Sequence, residues 1–135
     1  VTQEGAVTEE DLKSFTPDPL IGAVVSGVDP SFSWSKLAVA SAYLQAGGCL
    51  FVGTNPDTAN RAGGFLVPEN GAQLAALRAA CGREPTIVGK PSSLLVDLIM
   101  GSFGVERGGA IMVGDRMDTD IAFANEAGES PRAVG

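Results

Sequence analysis

Two short stretches hold the side chains best suited to chemistry. One is Gly114-Asp115-Arg116-Met117-Asp118-Thr119-Asp120, which sets three carboxylates directly after the apolar run 110–113. The other is Gly89-Lys90-Pro91, directly after the apolar run 86–88. In open α/β sheets ligands lie at the carboxyl ends of the strands, so a charged residue just past such a run faces the ligand crevice. Asp115 is therefore a candidate ligand for a hard cation such as Mg²⁺, which prefers oxygen donors and keeps several waters. Asp120 reads as a group supporting such a ligand. The plain reading of Asp118 is the N-cap of the helix that follows, with Asp120 near that helix's positive end. No EF-hand spacing is present. Lys90 can offset the charge of a phosphate or of adjacent carboxylates, which phosphoryl transfer demands. Alone, Gly-Lys-Pro is equally a solvated Lys ahead of a Pro that opens a helix, and it is not a P-loop.

Composition narrows the chemistry further. The 135 residues include no His, which excludes Ser-His-Asp triads, His acid–base catalysis and His metal sites. Any hydrolysis must then use carboxylates, Lys, a metal, or groups outside this chain. Acidic residues outnumber basic ones by 16 to 9, for a net charge of −7, so no nucleic-acid footprint is expected. An apolar content of 44% with 19% charged residues is that of a folded chain, long enough for one domain or parts of two. No apolar run is long enough to span a membrane, and the acidic start resembles neither a signal nor a transit peptide. The expectation is a cytoplasmic protein without membrane or nucleic-acid partners. Because the chain starts with Val1, it reads as a processed product or a piece of a longer one. Cys49 and Cys81 are expected to be reduced, buried thiols.

The elements that position these groups alternate in type. Residues 1–19 are acidic, end in Pro17 and Pro19, and read as an arm or a disrupted edge. A β-branched run at 21–28 predicts a strand. Ser33 or Ser35 can cap a helix over 34–46, where Trp34, Leu37, Ala38, Ser41 and Leu44 follow helical spacing and Gly47-Gly48 ends it. Residues 49–52 form the next strand, completing a βαβ unit. Residues 54–70 read as a long loop, of the kind that is usually functional. Then come a helix over 72–81, a strand at 86–88, a helix capped by Ser92 or Ser93 and running to Phe103, a strand at 110–113, and a helix over 118–127. The tail 129–135 has no clear element. Four strands separated by helices argue for a parallel α/β architecture.

The two loops, each after an apolar strand and joined by one helix, resemble the last two motifs of the haloacid dehalogenase (HAD) superfamily phosphatases. More closely, the chain resembles the 4-nitrophenylphosphatase/phosphoglycolate phosphatase family, which includes pyridoxal phosphate phosphatases. The similar blocks are Gly22 to Asp29 with Phe32 to Leu37, Leu50 to Asp57, Ile87 to Ser92, and Met112 to Ile121. The resemblance implies Mg²⁺-dependent hydrolysis of a small phosphate monoester, such as phosphoglycolate, through an aspartyl-phosphate. It implies a Rossmann-like core and an inserted cap that selects the substrate: residues 1–84 as part of the cap, 85–135 as part of the core. By it, Lys90 steadies nucleophile and phosphate, Asp115 binds Mg²⁺, and Asp120 supports them. The segment 57–62 matches the cap stretch that reaches substrate, with Asn60 and Arg61 as contacts. A cap of this kind can also form a homodimer contact.

The family's opening strand, ending in Asp-x-Asp-Gly with the nucleophile, has no counterpart here. The only Asp-x-Asp is Asp118-Thr119-Asp120, which belongs to the last motif. The chain is therefore expected to be the C-terminal portion of a phosphatase, inactive alone and prone to association. Two rivals are a non-catalytic binding or dimerisation module, and another α/β nucleotide or phosphate binder. The latter would favour a Gly-rich turn opening a helix after the first strand, where Asp29-Pro30-Ser31 stands instead.

Overall fold

The computed structural model describes residues 7–128 and 133–134. The chain divides into two compact units at Thr86/Ile87.

In the first unit, strand β1 (Ala23–Ser26) runs parallel to β2 (Leu50–Gly53), Ala23 facing Leu50 and Ser26 facing Gly53. Helix α2 (Trp34–Ala46) makes the crossover between them, as the sequence predicts. Ser33 adopts an extended backbone and its hydroxyl accepts the Lys36 N–H, which satisfies one of the free donors of the first turn. Gly47, at φ +80°, ends the helix. Helix α3 (Asn70–Cys81) packs beside α2 and closes with left-handed Gly82. The unit's core is Leu44, Cys49, Phe51, Leu74 and Leu77. Cys81, by contrast, is only half-buried, because it sits in the last turn of α3; both thiols are free. A short strand, β5 (Thr86–Ile87), lies next to β2.

Two expectations fail in this unit. The N-terminal segment holds a short helix, α1 (Glu9–Lys13), because Thr8 and Asp11 form a reciprocal capping box. The stretch 54–70 is not one loop but carries an antiparallel hairpin, β3 (Ala59–Ala62) and β4 (Phe65–Pro68), with Ala62 facing Phe65. Gly63 and Gly64 form its two-residue turn, Gly63 at φ +61°, where a residue with a Cβ would be strained.

In the second unit, α4 (Ser93–Phe103) is capped by the Ser92 hydroxyl and ends at left-handed Gly104. Strand β6 (Met112–Val113) pairs in parallel with β7 (Ala133–Val134), in a tail where the sequence suggests no element. Between them a wide π-helical turn (Met117–Ile121) leads into α5 (Ala122–Ala127). The core is small: Val96, Phe123 and Ala124. Both units are α/β, with parallel strands joined through helices. No helix among the described residues is long and apolar enough to cross a membrane.

Candidate functional site

The second unit brings Lys90 and Asp120 together. The chain leaves β5, turns at Gly89, whose carbonyl accepts the Ser92 N–H at 2.9 Å, and enters α4. Lys90 sits in that turn. After β6 the chain passes through Gly114 and Asp115 and winds into the π-helical turn. There the N–H groups of Asp120 and Ile121 both bond the Arg116 carbonyl, at 2.9 and 3.1 Å. This widened turn swings Asp120 back under Gly114. A Cβ on Gly114 would lie 2.5 Å from the Asp120 side chain, so only glycine permits the approach. π-turns of this kind recur at functional sites.

Lys90 Nζ donates to Asp120 Oδ1 at 2.5 Å, and the Arg116 N–H donates to Oδ2 at 3.3 Å. The Asp120 side chain is 7% exposed, whereas that of Lys90 is 44% exposed. A carboxylate removed from water in this way needs a partner, and the ammonium supplies it while its remaining donors stay open to solvent. The Lys90 hydrogen bond holds the Asp120 carboxyl below the ordinary aspartate range, against the opposing effect of burial. Asp120 is thus ionised at neutral pH.

Asp115 is exposed just past β6, and among the described residues no side-chain hydrogen bond or ion pair takes its carboxylate. Asp118 does not cap the last helix. It lies within the first turn, where Arg116 grips it in two places, Nε to Oδ1 at 3.1 Å and Nη2 to Oδ2 at 2.8 Å. That fork outcompetes the cap, and it lowers the Asp118 carboxyl below its ordinary range.

These contacts limit metal binding. Asp118 is held by Arg116 and both Asp120 oxygens are engaged, which leaves Asp115 as the one acid of the motif free to reach a cation. No group of three His, Cys, Asp or Glu is gathered among the described residues. Mg²⁺ demands near-octahedral oxygen coordination, so the donors present do not complete a site.

Asn60 and Arg61 lie in the first unit, on β3. Both are exposed, and the Arg61 N–H donates to Asn60 Oδ1 at 2.8 Å. Neither Gly114 nor Arg116 stands out in the sequence as a site residue. Gly114, directly before Asp115 and six positions ahead of Asp120, is the signal that could have pointed to the close approach.

Residues 87–134 match the HAD-hydrolase-like family. The 4-nitrophenylphosphatase of Schizosaccharomyces pombe is 37% identical over 122 residues, 90% of this chain and 41% of its own. Phosphoglycolate phosphatase 2 of Arabidopsis thaliana is 40% identical, over 84% of this chain and 38% of its own. Residues 87–134 are HAD-like. The glycerol phosphate phosphatase of Mycobacterium tuberculosis, solved in complex with magnesium, has the same fold at a TM-score of 0.67 and 40% identity, covering 78% of this chain and 31% of that one. The chain spans about two fifths of the curated relatives it matches. The relatives are named as phosphatases, and divalent metal is present in a solved one.

Proposed function

We propose that this HAD-like chain supplies part of the catalytic centre of a phosphatase acting on a small phosphate monoester of the phosphoglycolate or 4-nitrophenyl phosphate kind. The observation that carries the reading is the buried Asp120 locked to Lys90, with Asp115 left open at the end of β6. In this role Lys90 lowers the electrostatic cost of bringing a carboxylate nucleophile to an anionic phosphate. Asp120 keeps the ammonium aimed. Asp115 would offer one oxygen toward Mg²⁺, which would supply Lewis-acid polarisation of the phosphoryl group once the remaining donors are present. The other donors and the nucleophile belong to an Asp-x-Asp-Gly segment, a motif missing from these 135 residues. Its carboxylate would attack phosphorus, the ester P–O bond would break with release of the alcohol, and water would then hydrolyse the acyl phosphate.

In the same reading residues 1–84 serve as part of a cap and 85–135 as part of the core, with Asn60 and Arg61 as substrate contacts. The test is hydrolysis of 4-nitrophenyl phosphate by the chain fused behind such a segment. Lys90→Met and Asp115→Asn are each expected to lower kcat by about a hundredfold or more, in line with removal of a charge-stabilising group. Retention of full kcat in both variants contradicts the reading. A binding or dimerisation role gains support from the exposed Phe65, Leu66 and Val67 of β4. Size-exclusion chromatography of the chain, with and without Phe65→Ser, separates that role from a monomer.

A further inference from the structure

The hairpin β3–β4 has no buried residue, so no core of its own holds it in place. Its base, however, is tied by polar contacts. Asn70, the first residue of α3, is fully buried and uses its whole amide. Its Nδ2 donates to the Ser26 carbonyl at 3.1 Å and to the Asn55 carbonyl at 2.8 Å, and its Oδ1 accepts the Ser26 hydroxyl at 2.8 Å. One side chain thus joins the end of β1, the segment after β2 and the start of α3. Next to it the Gly71 N–H donates to the Asp57 carbonyl at 2.7 Å. A Cβ at Gly71 would stand 2.4 Å from the Pro56 carbonyl oxygen, so the two backbones touch there. The Glu69 N–H bonds the Thr58 carbonyl at 3.0 Å and closes the hairpin's base.

We propose that Asn70 is a positioning residue: its three-way hydrogen bonding fixes the hairpin that carries Asn60 and Arg61, and so sets where those side chains meet substrate. The substrate part rests on the reading above, in which the hairpin contacts the phosphate ester. An apolar residue of similar size would fill the space at Asn70 but take the amide donor from the Asn55 carbonyl and leave the Ser26 carbonyl with the Thr54 N–H alone. That points to a role in geometry rather than in filling the core.

Two measurements test it. The first is amide hydrogen exchange in the chain itself. Asn70→Asp keeps the shape but removes both N–H donors, and it should speed exchange over residues 59–69 by about tenfold or more while α2 is unchanged. Ser26→Ala removes one of the three bonds and should give a smaller increase in the same place. Unchanged hairpin rates, or equal loosening of residues 7–86 in both variants, overturn the proposal.

The second is 4-nitrophenyl phosphate hydrolysis in the fusion carrying the Asp-x-Asp-Gly segment. Arg61→Ala and Asn70→Asp should each raise KM by about tenfold with kcat within about threefold, and the double variant should be no worse than the poorer single one, because one acts through the other. If Arg61→Ala leaves KM unchanged, the hairpin is not a substrate contact and the positioning role falls with that reading, whatever the exchange data show. If Arg61→Ala raises KM but Asn70→Asp does not, or if the two effects add in full, the reading of the hairpin stands and Asn70 is not its positioning residue.

Discussion

The two units achieve order by different means. The first buries Leu44, Phe51, Leu74 and Leu77 between two helices and a parallel sheet, and adds a buried polar knot at Asn70. Among its described apolar side chains the second buries only Val96, Phe123 and Ala124, and leaves Leu94, Leu98, Phe103, Ile111 and Val113 open to solvent. It also contains an apolar cavity of about 200 Å³, lined in part by Ile99, Met100 and Phe123. Yet the second unit holds the candidate chemistry. Its geometry rests on local devices: the Lys90–Asp120 pair, the tight contact at Gly114, and Arg107, which joins Asp97 of α4 to the Glu126 carbonyl of α5. A site can be placed accurately by a few steric and charged contacts where the surrounding core is thin.

The comparison can be broken most directly by cutting into each core. Leu44→Ala should cost the first unit about 3 kcal/mol, whereas Val96→Ala should cost the second about 2 kcal/mol, because fewer atoms are removed. Urea unfolding followed by Trp34 fluorescence reports the first, and amide exchange over α4 reports the second. A larger loss at Val96 would mean the second unit's core carries more than its size suggests.

The glycine contacts sharpen the contrast. Gly71→Ala sets a Cβ against the backbone of Pro56 and Asp57; Gly114→Ala sets one against Asp120, whose Cγ and Oδ2 can rotate away but whose Cβ moves only with the π-helical turn. Both should destabilise by about 2 kcal/mol, as overpacking does. Only Gly114→Ala should separate Lys90 from Asp120 and lower kcat in the chain joined to an Asp-x-Asp-Gly segment. Equal effects of the two substitutions on kcat would erase the distinction between a fold contact and a site contact.

The smallest effect expected is one of pH. Because the folded state lowers the Asp120 carboxyl below its unfolded value of about 3.9, its contribution is complete above that value and is lost as pH falls through the depressed folded one. Protection of the second unit against exchange, taken relative to the intrinsic amide rates at each pH, should therefore fall in acid. Asp120→Asn should weaken the unit at pH 7 and flatten this acid dependence, as read from metal-free samples. An unchanged acid profile in the variant would remove Asp120 as the source.

Much of this was legible in the residues. Helix α2 emerges with its bounds because Ser33, the apolar spacing and Gly47 all agree, and α4 follows from Ser92 and Gly104 in the same way. The hairpin was missed because Ala59 to Ala62 has no β-branched residue and Asn, Asp and Gly crowd the stretch. The Gly63-Gly64 pair ahead of Phe65-Leu66-Val67 was the available signal. Asp118 was misread because cap preference is a local rule, and the Arg116 fork is equally local but stronger. The Lys90–Asp120 contact joins residues thirty apart in sequence, so no spacing rule reveals it. The hydrogen bonds of Asn70 reach 44 and 15 positions back and were invisible for the same reason.

The central claim is that Lys90, Asp115 and Asp120 are parts of a phosphatase centre whose nucleophile comes from elsewhere. It is tested most directly by 4-nitrophenyl phosphate hydrolysis with Mg²⁺ and with chelator, using the 135-residue chain alone and the chain joined to an Asp-x-Asp-Gly segment. The account predicts no turnover by the chain alone, and chelator-sensitive turnover once the segment is present. Chelator-sensitive turnover by the chain alone, abolished by Asp115→Asn, would contradict it and place the attacking group within these residues.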